Sequence, residues 1–475
     1  MSISRITPAF AALLALSSAS LAVAEDAIPA AVAEKLQKLD QQVKILARKA
    51  EIADEEAAAK AKTSVSAFAN DKDGFGIKSN DGLYKLRLRG LIQVDSRNYL
   101  GDIEKPATNT LLIRNFRPIL EASLGANVDA MFVPNFAGGA LAVVDLYADV
   151  KYIPGATLRV GKYVGPVGQD RIQSTTALSL PERSLAVNLT PDRDVGVQAS
   201  GEFGGGSYGY LAGIFNGALD NQSKDTEVVT DNSATPAPTG DPGDSKDAAA
   251  RIWVNPAKAL GLDDSISLEL GLAGSIGREG GVAGSNLPSY RTSGQQTIFK
   301  YKGTAWADGT HNRVNPTARL YYGPYSLVGE YLTTHQDVAG STTYTENLNH
   351  TAYTAAVGWV VTGENATWKG VTPRAPLDPA NGAWGAVEVV ARASQLKLDD
   401  DTFYNTTYAN GVASRAASVS RASALGVGVN WYWSRQVKLS GSYEHTTFQD
   451  GAGTDLAPTD RESERFVNAR LQVAF

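Results

Sequence analysis

The sequence predicts an all-β fold: a transmembrane antiparallel β-barrel of about 16 strands, preceded by a signal peptide and a short N-terminal coiled-coil helix. The first observation behind this prediction is that apolar and polar residues alternate with a period of two from about Leu83 to the last residue. The second is that no run of about 18 or more apolar residues follows the first twenty-odd positions. The third is a near-neutral mean hydropathy of -0.18, which arises in such barrels because every second residue faces water.

The composition excludes several classes of protein. The 475 residues contain no cysteine, which removes disulfides, thiolate metal sites and cysteine nucleophiles. A net charge of -6 argues against a nucleic-acid-binding protein. No GxSxG, P-loop or CxxC motif occurs, and the four histidines show no metal-ligand spacing and fall in or beside predicted external loops: His311, His335, His350 and His445. We therefore expect neither an enzyme, nor a cofactor, nor a nucleic-acid partner.

Residues 1–24 have the pattern of a secretory signal peptide. Arg5 supplies the positive charge, Phe10 to Leu16 form a short apolar core, and Ala22-Val23-Ala24 resembles a cleavage site. Because this core is too short to span a bilayer, we expect export and a mature chain that begins at Glu25.

Residues 25–62 predict a helix with a heptad seam, which lies at Val32, Leu36, Leu39, Val43, Leu46, Ala50, Ala53 and Ala57. A single amphipathic helix packed on a domain would show the same pattern, but no soluble domain is predicted for it to cover. We therefore expect self-association as a coiled coil in the periplasm, in a homotrimer. A polar linker is predicted over 63–82, and the barrel over 83–475.

The first barrel strand shows two distinct faces. One is apolar (Tyr84, Leu86, Leu88, Gly90, Ile92 and Val94), and the other is polar (Lys85, Arg87, Arg89, Gln93, Asp95 and Arg97). An arginine that faced lipid at the midplane would cost about 2–4 kcal/mol, so the polar face is expected to line a lumen.

Further strands are predicted at 111–124, 126–136, 142–152, 156–163, 193–203, 207–216, 247–256, 265–276, 313–322, 325–335, 351–362, 383–396, 421–433, 436–447 and 464–475. The stretch 296–303 is a doubtful addition, and because such barrels have even strand numbers we predict about 16. Tight turns are predicted at 204–207, 322–325 and 434–436, and long external loops at 217–246, 277–312, 336–350 and 397–420. A barrel of this size encloses an aqueous channel.

The last ten residues predict the strand that closes the barrel. Val467, Ala469, Leu471, Val473 and Phe475 share one face, and polar residues fill the other. This stretch resembles the final strand of bacterial outer-membrane barrels, a resemblance that implies recognition of Phe475 by the barrel-assembly machinery. An edge strand of a soluble sandwich is the alternative reading of this stretch.

Basic residues recur on the predicted lumen face, namely Lys85, Arg87, Arg89, Arg117, Lys151, Arg159, Arg251, Arg319, Arg392, Lys438 and Arg470. Each could form one half of an ion pair within the wall, and several have an acid two or four residues away. Together they could instead form a track for anions, because the forked donors of arginine match phosphate and carboxylate oxygens.

The segment 164–192 is too long for a turn and carries Arg171 and Arg183. It is either an external loop or a loop that folds into the channel and narrows it. The second possibility would place both arginines at a constriction.

The barrel sequence, from about Gly74 to Phe475, resembles the phosphate- and polyphosphate-selective porin O/P family. The resemblance rests on 86–90, 114–121, Gly161-Lys162, Pro166, Gly168, Arg171, Gln173-Ser174, Glu182-Arg183, 193–198, 215–217, 362–364 and 382–385. It implies a trimeric outer-membrane porin of Gram-negative bacteria, with a third loop folded inward and a ladder of basic residues that passes phosphate. Carried over by motif, Arg114 and Arg117 would belong to the constriction wall, and Arg171 and Arg183 to the constricting loop.

Strict alternation places Arg114 and Arg117 on opposite faces of their strand. A β-bulge, or a position at the external strand end, would allow both to belong to the constriction wall. Two further features depart from phosphate-selective members: Asn115 and Phe116 replace a doubled arginine, and 277–302 contains few basic residues. We predict an outer-membrane porin for passive diffusion of small anions, with phosphate or polyphosphate as the leading substrate. The alternatives are a weakly selective porin for other small solutes and an envelope tether that uses the coiled coil, with the barrel as its anchor in lipid.

Overall fold

The computed structural model describes residues 30–63, 65–70, 74–101, 107–139, 141–223, 246–263, 265–280, 287–341, 344–403 and 411–475. The predicted signal peptide, 1–24, lies outside the described residues. None of the described helices is both long and apolar enough to cross a membrane.

The described residues of the N-terminal unit form one helix, α1 (Ala30–Thr63), which covers most of the predicted 25–62 region and ends one residue beyond it. The predicted seam residues Val32, Leu36 and Leu39 are exposed on this unit, and so are Val43 and Leu46. Ion pairs four residues apart join Lys to Asp or Glu along the helix. The structure thus contains the helix with its apolar stripe, and the coiled coil stays a prediction.

The second unit contains the strands and two one-turn helices, α2 (Gln169–Ile172) and α3 (Pro256–Ala259). In chain order the strands are β1 (Val65–Asn70), β2 (Gly74–Ser79), β3 (Tyr84–Tyr99), β4 (Thr110–Leu124), β5 (Val128–Asn135), β6 (Ala142–Ile153), β7 (Ala156–Val164), β8 (Arg193–Phe203), β9 (Tyr208–Phe215), β10 (Asp247–Val254), β11 (Ile266–Gly280), β12 (Ser289–Arg291), β13 (Thr297–Lys300), β14 (Trp306–Tyr322), β15 (Tyr325–Ser341), β16 (Tyr344–Val360), β17 (Ala386–Lys397), β18 (Val419–Tyr432), β19 (Val437–Gly453), β20 (Pro458–Asp460) and β21 (Glu464–Ala474).

Sixteen of these strands form a closed antiparallel barrel, namely β3 to β11, β14 to β19 and β21. The ring closes where β21 pairs with β19 on one side and with β3 on the other, so that Leu471 lies opposite both Leu439 and Val94. Phe475 completes the seam, because its N–H donates to the Gly90 carbonyl at 3.1 Å. The predicted fold class and the predicted closing strand are confirmed.

Side-chain direction along β3 follows the predicted alternation. Leu88 and Ile92 are exposed on the outer surface, whereas Gln93 and Asp95 are fully buried on the inner side. The excluded stretch 296–303 overlaps β13, which pairs only with β12 in a separate hairpin and not with the wall. The count of sixteen therefore holds without it.

The prediction of a linker over 63–82 is wrong in part, because β1 and β2 form a hairpin there. Strand β2 pairs with β3 from Phe75 opposite Leu88, just beyond the point where Phe475 ends the pairing of β21. Backbone groups along this stretch of β3 would otherwise have no partner, and the hairpin supplies one.

The predicted external loop at 336–350 is also wrong, since β15 and β16 continue through most of it. The inward side chains of this extension, such as Gln336 and Leu348, pack in the interior instead of facing solvent. His311 and His350 likewise lie on strands with buried side chains, not on exposed loops. Alternation is the same inside the membrane and in the part of the wall that extends beyond it, so this pattern cannot show where the membrane ends.

Connections at one end of the barrel are short, as predicted for 204–207, 322–325 and 434–436, and we refer to this as the turn end. Two connections at this end are longer: 255–265, which contains α3, and 361–385, between β16 and β17. The second is the longest. Its residues Ala366 and Val371 pack on the inward side chains Tyr321 and Tyr432. This connection therefore folds back into the lumen from the turn end.

Candidate functional site

The segment 164–192 joins β7 to β8 and contacts the inner face of the barrel. We call it the inner loop. Its first turn is held by Glu330, whose carboxylate accepts from the backbone N–H groups of Gln169 at 2.7 Å and Asp170 at 3.1 Å. Asn315 also accepts from the Gly168 N–H at 3.0 Å. Since both wall residues belong to β14 and β15, the loop starts at β7 and reaches a distant part of the wall.

The middle of the inner loop is held through its backbone carbonyls by wall side chains. Lys438 donates to the carbonyls of Thr176 and Leu178, Asn430 to that of Ser179, and Arg392 to that of Glu182, at 2.8–3.2 Å. Lys438 and Arg392 were predicted to be candidates for an anion track. Their donors instead bind the loop, which is thereby fixed along one side of the lumen.

Glu182 is the centre of a buried charge cluster where the inner loop meets the wall. Its carboxylate accepts from Arg97 at 2.9 Å, Arg114 at 2.8 Å and Arg470 at 2.7 Å, and Asp95 binds Arg470 at 2.6 Å. Burial acts to raise the pKa of Glu182, but the guanidinium charges of Arg114 and Arg470 outweigh it and hold that pKa well below its ordinary range. Glu182 is therefore ionised at any physiological pH.

Arg171 and Arg183 lie on the inner loop, as predicted, and both bind groups of the loop or its neighbours. Arg171 donates to the Thr190 hydroxyl at 3.1 Å, to the Val187 carbonyl at 2.9 Å and to Asn221 at 3.1 Å. Arg183 donates to the carbonyl of Gln173 at 2.8 Å and to that of Asp170, and burial lowers its pKa to about 10. These contacts fasten the loop to itself.

A β-bulge decides the orientation of Arg114. The pairing of β3 with β4 steps from Gln93–Asn115 to Val94–Ile113, so Arg114 has no opposite residue. Its guanidinium reaches Glu182 in the lumen, while Phe116 is exposed on the outer surface. The conflict that strict alternation raised for Arg114 and Arg117 is thus resolved by the bulge.

Between the inner loop and the wall of β4 and β8 lies a cavity of about 430 Å³. We call it the arginine cavity. It is lined by seven arginines and by only two carboxylates, Glu182 and Asp192, for a net charge of +5. The arginines are Arg114, Arg117, Arg171, Arg183, Arg193, Arg291 and Arg470.

Two of these arginines have no acidic partner in the part of the chain that the structure describes. No carboxylate of the described residues forms a salt bridge with Arg117 or Arg291, whereas Arg193 binds both Asp145 and Asp192. The Nε of Arg117 is moreover buried without any hydrogen-bond partner in the described part of the chain. An unpaired guanidinium that lines a cavity of this size is available for an anionic ligand.

The other predicted site residues lie nearer the turn end and have partners. Arg87 and Arg89 both bind Glu121 across the strand pair, which the sequence along β3 alone does not reveal. Each of the rest contacts an acid or a ring: Arg159 with Asp149 at 2.7 Å and over Tyr147, Arg251 with Glu269 at 3.1 Å, Arg319 with Glu269 and over Trp368, and Lys85 over Phe68.

Sequence reasoning did not identify Arg193, Arg291 and Asn115 as lining the cavity. Arg193 begins a strand, and Arg291 belongs to a connection that was predicted to be external. The signal for the second was present, because Tyr290 and Phe299 are large aromatic residues that a solvent-exposed loop rarely needs. Both are fully buried, so the hairpin of β12 and β13 lies against the interior. Among the described residues no group of His, Asp and Glu could hold a metal ion.

Comparison with known proteins adds the following. The family model of the phosphate-selective porins O and P matches residues 85–475. Porin O of Pseudomonas aeruginosa is 24% identical over 435 residues, which cover 85% of this chain and 91% of that protein. The outer membrane channel DcaP of Acinetobacter baumannii is 12% identical, with 84% of this chain and 99% of that chain covered and a TM-score of 0.50. An anion-selective porin from Comamonas acidovorans is 13% identical, with 82% and 100% covered and a TM-score of 0.48.

Proposed function

Because the chain belongs to the family of phosphate-selective porins O and P, we propose that it forms a water-filled outer-membrane channel for the passive diffusion of small anions. Phosphate or polyphosphate is the leading substrate. The observation that carries this proposal is the arginine cavity, which is lined by seven guanidinium groups and only two carboxylates.

The chemistry of the cavity suits transient binding of an anion. Arginine stays charged at any physiological pH and presents forked N–H donors. At an effective dielectric constant near 20, one charge pair at contact contributes about 4 kcal/mol before desolvation. A channel needs sites that attract the ion and still release it. Arg117 and Arg291 offer free donors, while the neighbouring guanidinium groups already bind carboxylates and add only longer-range attraction.

Planar-bilayer recording tests this function. In a KCl gradient the reversal potential should have the sign of anion selectivity, and phosphate should block the chloride current. The variant Arg117→Ala should lower both the selectivity and the block, because it removes a cation without an acidic partner. Arg278→Ala is the matched control, since Arg278 is exposed on β11 and does not line the cavity. Cation selectivity of the wild-type channel would refute the proposal.

A weakly selective porin for other small solutes is the second candidate. It is favoured by the turn-end bases, because Glu121 and Asp149 reduce the net charge of Arg87, Arg89 and Arg159 from +3 to +1 and weaken their attraction for anions. Anion selectivity without any block by phosphate would support this candidate over the first.

The N-terminal helix supports a homotrimer. Its exposed seam residues recur at heptad spacing, and three parallel copies would bury them. Because Phe475 and the start of β3 share the turn end, we place the helix in the periplasm and Phe475 within reach of the assembly machinery. If the chain is an envelope tether, deletion of 25–62 should abolish its phenotype, whereas a channel should still conduct after the same deletion.

A further inference from the structure

Three basic residues lie on the outer surface of the barrel, at the end opposite the turn end. They are Lys397 on β17, Arg421 on β18 and Arg465 on β21, and all three are exposed. We call them the outer bases. Their outward direction follows from alternation, because the side chain next to each of them is buried inside the barrel: Leu396, Ala422 and Phe466.

The residues opposite the outer bases in the strand register are not acids. Lys397 and Arg421 lie opposite each other in β17 and β18, and Arg465 lies opposite His445 of β19. None of the outer bases forms a salt bridge in the part of the chain that the structure describes. Like charges that lie directly opposite each other destabilise a sheet. An anion bound beside them would relieve this repulsion.

The outer bases lie at the height where the lipid-facing band of the barrel ends. Arg421 is ten residues from Trp431 near the turn end of β18, and Arg465 is ten residues from Phe475. With a rise of about 3.3 Å per residue and a tilt of about 40°, ten residues span about 25 Å along the membrane normal. The apolar band of outer-membrane barrels has the same height, about 25 Å. The outer bases are therefore level with the lipid headgroups on the side of the external loops.

An apolar surface lies directly below the outer bases. Leu425 shares the outer face of β18 with Arg421 and is 67% exposed. Val467 lies on the outer face of β21, below Arg465. Tyr443 of β19 lies between these two strands, opposite Val467, and is 37% exposed. A ligand that fits the whole surface has anionic groups at the top and apolar chains below.

We infer that the outer bases form a docking site for the phosphate groups of an outer-leaflet lipid, whose acyl chains cover the apolar surface below. The forked donors of arginine match phosphate oxygens. Each Lys or Arg beside an anionic lipid surface strengthens binding by a factor of about five. The inference goes beyond the channel function, since it requires only that the barrel lies in the outer membrane.

A dissolved anion fits this surface less well than a lipid does. The outer bases face away from the lumen and do not line the arginine cavity, so an ion that crosses the cavity does not meet them. A dissolved anion also leaves the exposed Leu425 and Tyr443 uncovered. A lipid headgroup, in contrast, is held at this height by its own acyl chains, which keep the phosphate at a high local concentration beside the bases.

Lipid binding to the purified full-length channel tests the inference. Native mass spectrometry of the channel in detergent measures how many lipids stay bound and with what affinity. The probes are lipid A, a glucosamine disaccharide with phosphates and acyl chains, and the same lipid after its phosphates have been removed. Lys397→Gln, Arg421→Gln and Arg465→Gln should each weaken the binding of lipid A about fivefold, and all three together about a hundredfold. The dephosphorylated lipid should bind the wild type and the triple variant equally weakly.

The matched control is Arg435→Gln, because Arg435 is an exposed base at the turn end. This variant should bind lipid A as the wild type does. Equal affinity of the wild type for the two lipids would overturn the inference, and so would a loss in Arg435→Gln as large as that in Arg421→Gln.

Two further outcomes would assign the surface to another ligand and would also overturn the inference. Displacement of lipid A by an equal concentration of inorganic phosphate would indicate a site for dissolved anions. Dissociation of the triple variant into monomers would indicate that a second copy of the chain covers the surface. The reversal potential in a KCl gradient should be the same in the wild type and the triple variant, so failure of this inference is distinguishable from failure of the channel function.

Discussion

Replacing Glu182 with glutamine should destabilise the barrel in a way that phosphate reverses. Glutamine keeps the shape of the side chain but removes the charge that Arg97, Arg114 and Arg470 share at 2.7–2.9 Å. Glu182 is only 6% exposed, so water cannot replace the lost counter-charge. The three guanidinium groups are then left close together, with Asp95 as the nearest remaining acid.

The expected loss follows from the general cost of breaking a buried ion pair. Removing one partner costs about 3–5 kcal/mol, because the other charge stays buried without compensation. Because Asp95 still binds Arg470 at 2.6 and 2.7 Å, we expect a loss of unfolding free energy at the low end of this range, about 3 kcal/mol. A phosphate ion in the arginine cavity offers oxygens to Arg114 and Arg470, the two of these residues that line it. A ligand at 100 times its Kd adds about 2.7 kcal/mol, so saturating phosphate should restore most of the loss.

Thermal unfolding in detergent, followed by circular dichroism, measures this effect in chloride and in phosphate at equal ionic strength. The control is Glu269→Gln, because Glu269 is also buried between two arginines, Arg251 and Arg319, but lies outside the arginine cavity. Both variants should unfold at a lower temperature in chloride. Phosphate bound in the arginine cavity stabilises either folded variant, and the gain in unfolding temperature should be larger for Glu182→Gln, because its cavity has lost a competing carboxylate. Equal rescue of the two variants, or an unchanged unfolding temperature for Glu182→Gln, would refute this reasoning.

Two further variants test how the inner loop and the seam are held. Glu330→Ala removes the acceptor of the backbone N–H groups of Gln169 and Asp170. Each such bond to a charged group contributes about 1.5–3 kcal/mol, so its loss should loosen the inner loop and make the single-channel current noisier. Glu330→Gln keeps an acceptor and is the control. If the current of Glu330→Ala is as quiet as that of Glu330→Gln, Glu330 does not anchor the loop. In Gly90→Val the new side chain would clash with the ring of Phe475, because a Cβ at position 90 would already lie 2.5 Å from that ring. The band of folded protein on unheated gels should therefore weaken. Unchanged folding would show that the ring of Phe475 does not pack on Gly90.

The barrel wall was predictable because its signal is local. Alternation along β3 separates Leu88 and Ile92 from Gln93 and Asp95 without reference to any other strand, and the structure confirms that division. The same signal is silent on the end of a strand, which is why the extension of β15 and β16 was missed. It is also silent on whether a polar segment such as 63–82 pairs with the wall.

The candidate site was less predictable, because its geometry depends on contacts between distant segments. Arg171 was expected at a constriction only if 164–192 folds into the channel, and the structure shows that segment against the inner face of the barrel. Its role as an anion ligand stays a prediction, since its donors bind Thr190, Val187 and Asn221. Asn221 lies 50 residues away, and nothing in the sequence near Arg171 indicates that contact. The side to which Arg114 turns depends in the same way on the pairing of β4 with β3.

The distribution of counter-charges explains why the proposed anion site lies beside the inner loop. In bare stretches of the wall, opposite charges face each other across paired strands, as in Arg87 with Glu121 and Arg319 with Glu269. Such pairs follow from strand register and cancel locally. Where the inner loop lies against the wall, it adds arginines of its own, and the acids there are engaged by several guanidinium groups at once. Among the residues that the structure describes, the largest net positive charge around a cavity therefore accumulates where a loop with its own cations covers a wall that is already basic.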